Sequence, residues 1–423
     1  MTNMDKIEKL KKSFEKNKSL ITDALYKDLG KSFDESRLTE YYPVISEFDN
    51  FIKHLDKWSE PEKIKNFFYL LGCKTMMQPE PYGKVLIMSP WNYPFNLTFL
   101  PLIGAVAAGN EVVIKPSEHS INSSEIIKKI IDESGLEDVK VVLGGVEETK
   151  NLLNKKFDYI FFTGSPKIGK VVYLKAAENL TPVTLELGGK SPVIIEDKHC
   201  LEESVEKIIW GKFFNRGQTC IAPDYVCLPM GTAYDFVELA RSYIRTNGDV
   251  GGKIINEDHF KRLEKLLENQ NIIYQNGKIN SEAREKGIFP FTIVLNPKEG
   301  DPILEEEIFG PILPLIEYES LEKVYWDLRS KPSPLALYIF RNEKGNMTTN
   351  GIKAGGVCIN GTMLQILDKK IPFGGVGNSG IGRYHGKYTF DTFTHYKPIF
   401  EGSGIKISTI HKITNLVLNK IKK

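Results

Sequence analysis

The 423-residue sequence is poor in cross-linking and metal-binding side chains. Its five cysteines, Cys73, Cys200, Cys220, Cys227 and Cys358, are odd in number and show no Cys-x-x-Cys spacing. That argues against a disulfide framework and a zinc site, and points to a reducing compartment. The seven histidines include no His-x-x-x-His pair, so no metal is expected. Charge of one sign is lacking too: 56 basic against 54 acidic residues leave +2, without the basic footprint that nucleic-acid binding needs. The uncharged stretch 85–110 has the length of a membrane span, but Pro90, Pro94 and Pro101 with Asn92 and Asn96 break it into strand, loop and buried helix. The first twenty residues are lysine-rich, carry Asp5, Glu8 and Glu15, and hold no apolar run. No leader is read there, and the mature chain is expected to start at Met1.

What is present suits a globular protein of two or three domains, with 41% hydrophobic residues to bury. Residues 4–60 place Ile7, Leu10 and Phe14, then Ile45, Phe48, Ile52 and Leu55, at helical spacing among charges, which predicts surface helices packed on one face. The segment 73–81 is short and extended, with prolines that forbid helix. Alternating units follow: strand 85–88, helix 95–108, strand 112–115, helix 122–133, strand 140–143, helix 147–154 and strand 159–163. Such alternation predicts a doubly wound α/β domain whose ligands bind beyond the carboxyl ends of its strands. After the last strand, Gly164-Ser165-Pro166-Lys167-Ile168-Gly169 opens a helix to about Asn179, and a phosphate suits that helix N-terminus. A plain strand-to-helix turn has the same spacing. From Gly188 to about Gly386 the pattern resumes with helices 205–214 and 258–268, strand 335–340 and the glycine-rich run 373–386, a second α/β domain.

Chemistry concentrates between Thr184 and Asp224. Glu186 stands where the apolar run 182–187 meets Gly188 and Gly189, so it projects from a strand end into a tight turn and is a candidate base. Cys220 lies in the small polar loop that follows helix 205–214. A thiol of pKa about 8.5 needs positive charge, a helix dipole or a base before it works as a nucleophile. Taken alone, such a cysteine is more often a small buried apolar residue.

Leu185-Glu186-Leu187-Gly188-Gly189-Lys190-Ser191-Pro192 and Gly217-Gln218-Thr219-Cys220 resemble the two active-site signatures of the aldehyde dehydrogenase superfamily. Pro90-Trp91-Asn92-Tyr93-Pro94, Glu307-Ile308-Phe309-Gly310-Pro311 and Phe373-Gly374-Gly375 follow in the family's order. Residues 91–98, 218–224 and 372–380 look most like its class 3, fatty and aromatic aldehyde, branch. The resemblance implies a Rossmann-like cofactor-binding domain at 1–72 and 82–188 and a catalytic domain at 189–386. It also implies a β-strand oligomerisation arm at 73–81 and 387–400, joining two subunits as a homodimer. By the same resemblance Cys220 is the nucleophile, Glu186 the general base, and Asn92 with the Cys220 backbone N–H the oxyanion hole. The cofactor is NAD, with NADP tolerated, held by Lys115, Glu118, Gly164, Ser165, Gly169, Leu187, Glu307 and Phe309. Glu118 at the adenosine ribose favours NAD. Tyr93, Trp210, Thr219 and Ile381 line the aldehyde funnel, and Glu307 is the fallback base. Arg216 departs from the small or polar residue usual before Gly-Gln-x-Cys; facing the thiol it favours thiolate, and facing solvent it does nothing.

The resulting expectation is NAD(P)-dependent oxidation of medium- or long-chain aliphatic or aromatic aldehydes to carboxylic acids, through a Cys220 thiohemiacetal and a thioester hydrolysed by water. Acyl transfer to coenzyme A is the nearby alternative, against which Glu186 argues. A non-catalytic relative is the distant one, against which the joint presence of Asn92, Glu186, Cys220 and Glu307 argues. A cytoplasmic enzyme is expected. The amphipathic tail 401–423, with Ile407, Ile410, Ile413, Val417 and Ile421 at spacings of three and four, reads either as a basic helix on a membrane surface or as a helix packed on protein.

Overall fold

Strands rich in β-branched residues alternate with helices between residues 84 and 186 and assemble a six-stranded sheet. The structure is a computed structural model, which describes residues 1–66, 72–249, 251–343, 345–402 and 407–421. In sheet order the strands are Gly380–Ile381, Val183–Glu186, Tyr159–Thr163, Lys84–Met88, Glu111–Lys115 and Val139–Val141. All neighbours are parallel except the first pair. Alternate side chains of the strands enter opposite layers, as a pleat requires. Val85, Ile87, Val112, Ile114 and Phe161 join a core with helices Asn3–Lys16, Lys18–Leu29, Tyr42–Ser59, Asn96–Ala107 and Ile121–Ser134. Leu86, Met88, Val113, Ile160, Phe162 and Leu185 pack with helices Val146–Leu153 and Pro166–Ala177 on the other face. The sheet is therefore doubly wound.

A second, seven-stranded sheet runs Ile272–Gln275, Thr292–Leu295, Ile312–Tyr318, Tyr225–Pro229, Pro192–Ile195, Ala336–Phe340 and Gly356–Ile359, antiparallel only between its first two strands. The third sheet is the arm: Glu62–Ile64, Lys74–Pro81 and Thr394–Glu401, with Thr394 opposite Pro81 and Glu401 opposite Lys74.

Three boundaries differ from those read in the sequence. Glu62–Ile64 belongs to the arm, because it pairs with Lys74–Pro81. Residues Lys387–Thr392 form a helix rather than arm, packed so closely on Asn96–Ala107 that a Cβ on Gly104 would collide with Thr389. The glycine-rich run 373–386 returns from the second domain to the first, where Gly380 pairs with Glu186 and Ile381 with Leu185. Glycine is needed at 380, whose φ of 152° and contact with the Leu185 carbonyl leave no room for a side chain. The edges at residues 72 and 401 adjoin 67–71 and 403–406, outside the described residues, as are 422–423 at the end of the tail. Among the described residues no helix is long and apolar enough to cross a membrane.

Candidate active site

The carboxyl ends of the parallel strands carry the polar residues that the sequence singles out. Asn92 follows Lys84–Met88, Gly164 and Ser165 follow Tyr159–Thr163, and Glu186 ends Val183–Glu186. This edge opens into a cleft of about 1150 Å³ that runs between the two sheets and is lined by Asn92, Tyr93, Gly164, Ser165, Glu186, Leu187, Trp210, Thr219, Cys220, Glu307 and Phe309.

Glu186 is held from both sides of its strand. Its carbonyl accepts the Gly164 N–H at 3.0 Å, and the next N–H, of Leu187, reaches Ser379 O at 3.0 Å. The side chain is 2% exposed, and neither carboxylate oxygen finds a hydrogen-bond partner among the described residues. Burial pushes this carboxyl well above the usual range. A carboxyl so placed holds its proton more tightly than an exposed one and is free to exchange it with whatever enters the cleft.

Cys220 stands after helix Leu201–Phe213, on a loop bent by three successive left-handed residues: Asn215 (φ 47°), Arg216 (φ 51°) and Gly217 (φ 75°). Gln218, wholly buried, braces the loop by donating to Asn215 O and Lys253 O, both at 3.0 Å, and accepting the Ile255 N–H at 3.0 Å. Burial pushes the Cys220 thiol up; the carboxylates of Glu307 and then Glu186 push the same way, and the N–H groups of Cys220 and Ile221 oppose them. Before substrate arrives, sulfur keeps its proton.

The Asn92 amide donates to Gln218 O at 3.0 Å, which ties the strand-end loop to the cysteine loop. An amide nitrogen carries two N–H groups, and this bond uses one. Tyr93 OH and Thr219 Oγ1 make a second tie, at 2.6 Å. Glu307 crosses from the second domain so closely that a Cβ on Gly188 would overlap its carboxylate. Burial and then Asp224 push Glu307 up to about 8, against the Gly189 N–H, Lys190 and Arg262.

Four expected residues lie apart from the cleft lining. Lys115 is buried, donates to Pro116 O at 2.7 Å and stands 3.7 Å from Glu118. Gly169 abuts Leu187, where a Cβ would collide with the leucine side chain, so its smallness serves helix-to-strand packing. Ile381 is exposed on the short edge strand. Neither alternative for Arg216 matches its position. It faces neither thiol nor solvent: at 4% exposure it donates to Gly252 O, to Phe289 O at 2.8 Å and to Gly251 O at 3.1 Å. Its guanidinium fastens the loop to the chain behind it.

Sequence reasoning missed part of the cleft wall. Trp91 meets His259 at 5.2 Å and Phe309 at 5.4 Å, ring edge to face. Phe309 holds a left-handed φ of 51°, an uncommon conformation for an aromatic residue. Burial, then Arg262 and His119, depress His259 to about 4. Next to this wall, Gly164 to Lys167 bring the N-terminus of helix Pro166–Ala177 to the cleft, with Ser165 capping it. A helix start beside aromatic rings fits a nucleotide with phosphates. At the other end, Leu38, Tyr42, Trp210, Leu364, Leu367 and Phe373 give the cleft an apolar mouth. His259 and Arg262, one helical turn apart on Glu257–Leu266 and next in sequence to the buried Phe260 and Leu263, were the available signal.

The aldehyde dehydrogenase family profile matches residues 4–399. The chain is 41% identical over 421 residues to 4,4'-diaponeurosporen-aldehyde dehydrogenase of Staphylococcus aureus, covering 96% of this chain and 90% of that protein. It is 41% identical over 396 residues to human aldehyde dehydrogenase family 3 member B1, covering 90% and 83%. With the rat dimeric NADP-preferring aldehyde dehydrogenase it shares 40% over 403 residues, covering 93% and 88%. Among solved structures, the substrate-bound state of Staphylococcus aureus AldH superposes with a TM-score of 0.91 at 39% identity, over 96% of this chain and 90% of that one. A Mycobacterium tuberculosis aldehyde dehydrogenase complexed with NAD+ superposes with a TM-score of 0.84 at 26% identity, over 96% and 86%. The chain belongs to the aldehyde dehydrogenase family, in its class 3-like branch, and is an NAD(P)-using enzyme that oxidises aldehydes.

Proposed function

We propose that the chain converts medium- or long-chain aliphatic or aromatic aldehydes to carboxylic acids, with Cys220 as nucleophile, Glu186 as general base and Asn92 as oxyanion donor. The observation that carries this reading is the shared cleft of a half-buried thiol, a carboxylate without polar partners among the described residues, and an amide, behind an apolar mouth. Attack of sulfur on the carbonyl carbon requires the thiol proton to leave, and the ionised form of a carboxyl with a raised pKa is a stronger base than an ordinary carboxylate. The oxygen, now negative, takes hydrogen bonds from the Asn92 amide and the Cys220 N–H. A missing donor of this kind typically costs about a hundred- to a thousandfold in rate. Gly164, Ser165, Leu187, Glu307 and Phe309 hold the cofactor, with Lys115, Glu118 and Gly169 behind them. When bound, the nicotinamide supplies the acceptor for the hydrogen that leaves the aldehyde carbon as hydride. Glu186 passes the thiol's proton on to solvent and then takes one from water, the resulting hydroxide attacks the Cys220 thioester, and the acid leaves as sulfur regains a proton. Cys220→Ala is expected to abolish NAD(P)H formation from aldehydes while cofactor binding persists. Glu186→Gln is expected to give a burst of NAD(P)H and then stall as acyl-enzyme. Full turnover by the Cys220 variant overturns the mechanism.

The chain forms a homodimer through its arm and through helix Pro166–Ala177, whose Ile168, Val171 and Leu174 face outward. A thiol that must stay reduced fits the cytoplasm. The helix Ile407–Ile421, with Leu416 and Leu418 exposed, makes a peripheral contact with lipid. Flotation with anionic liposomes is expected for the full chain and not for residues 1–402; equal flotation of both excludes the tail as the contact.

A further inference from the structure

The N-terminal helices read from the sequence as packing elements, yet the chain that follows Lys18–Leu29 reaches the back of the active site. Lys31 and Glu40 are both completely buried. Lys31 Nζ donates to Glu40 Oε1 at 2.7 Å and to the carbonyl oxygen of Asn92 at 2.9 Å, and it lies 3.8 Å from the centre of the Tyr93 ring. Glu40 sits in a π-helical turn, Arg37–Tyr41, and its Oε2 accepts the N–H groups of Phe95 at 3.1 Å and Asn96 at 2.9 Å. One ion pair thus grips residues 92–96 at both ends. Glu35 works from the other side. Its Oε1 accepts the Asn215 N–H at 2.6 Å, and the Asn215 amide donates to the same Asn92 carbonyl at 2.9 Å and to Gln218 O at 3.2 Å.

A buried ion pair gains little stability over apolar residues of the same size, so its presence calls for another cause. Direction is one: the Asn92 carbonyl accepts two donors, a lysine and an amide, which fixes the peptide plane and with it the line along which the Asn92 side chain leaves the backbone. Single π-helical turns are frequent at functional sites.

We propose that Lys31 and Glu40, with Glu35 acting through Asn215, are positioning residues for aldehyde oxidation: they fix the Asn92 main chain so that its side-chain amide meets the oxygen of an aldehyde attacked by Cys220. This rests on the reading of Asn92 as oxyanion donor. The pair Lys31→Met with Glu40→Gln removes both charges, so that neither is left buried alone. It is expected to lower kcat about ten- to a hundredfold, the scale of a misplaced reacting group, with KM for aldehyde and cofactor affinity changed by less than about threefold. In an Asn92→Ala background the same pair is expected to cost less than about threefold, because no amide remains to be aimed. Glu35→Ala, at the half-buried edge of the network, repeats the comparison with a loss of about three- to tenfold and serves should the double variant fail to fold. Equal losses in the two backgrounds, or full activity of the charge-free variants, overturn the proposal. Full turnover by Asn92→Ala alone overturns the oxyanion reading and this inference with it, a result distinct from a crippled Asn92→Ala beside harmless charge removal.

Discussion

Glu307 presses on the Cys220 thiol from across the domain boundary: after burial, its carboxylate is the largest influence holding the thiol above its ordinary range. Glu307 itself is pushed up to about 8, so it is mostly neutral at pH 7 and mostly charged at pH 9. The sign follows. Below pH 8 it leaves the thiol alone, and above pH 8 it opposes thiolate formation. Iodoacetamide alkylation of Cys220 in the free enzyme is expected to rise less steeply above pH 8 than below it. Glu307→Gln should remove that bend and speed alkylation at pH 9 by about three- to tenfold, since the thiol then ionises without an opposing carboxylate. Unchanged rates at pH 9 refute the coupling.

Much of this site was legible because its residues sit at sequence landmarks. Asn92, Gly164 and Glu186 each follow an apolar run that ends a parallel strand, and strand ends are where such sheets bind ligands. The place of Cys220 on the cleft wall was legible only through its neighbours, since nothing in a lone thiol distinguishes a cleft residue from filler. What stayed hidden depends on distance in the chain. Lys31 and Glu40 sit among ordinary charged helix residues, and 61 positions separate Lys31 from the carbonyl that it holds. No periodicity announces such a contact. The same holds for Gly380, whose pairing with Glu186 reassigns part of the glycine-rich run to the first sheet. Lys115, Glu118, Gly169 and Ile381 show the converse: a residue type that fits a role does not by itself put the side chain on the cleft wall.

Arg216 illustrates how a charge near the proposed nucleophile misleads. Three carbonyls, of Gly251, Gly252 and Phe289, satisfy its guanidinium, and Asp249 stands 3.5 Å away. Arg216→Ala leaves those carbonyls without donors and opens space behind the cysteine loop, an expected loss of about 3 kcal/mol. Thermal inactivation should move down by several degrees, whereas the pH dependence of Cys220 alkylation should keep its shape. A lowered temperature midpoint together with a shifted alkylation profile would mean that the guanidinium also acts on the thiol.

The outward face of helix Pro166–Ala177 offers a test of assembly that leaves the cleft untouched. Ile168, Val171 and Leu174 repeat every three residues and are 45%, 49% and 60% exposed, an apolar stripe that solvent has no reason to favour on so regular a helix. A stable interface buries roughly 800 Å² on each partner, more than one helix face supplies, so in the proposed dimer the stripe acts together with the arm strand Thr394–Glu401. Val171→Glu with Leu174→Glu puts two charges of one sign at the centre of such a contact, and in a two-fold dimer the partner's copy of the same patch brings two more. Sedimentation at micromolar concentration is expected to show a dimer for the unaltered chain and a monomer for the variant. A variant that stays dimeric would assign assembly to the arm alone, whose strands pair through backbone groups that those substitutions do not reach.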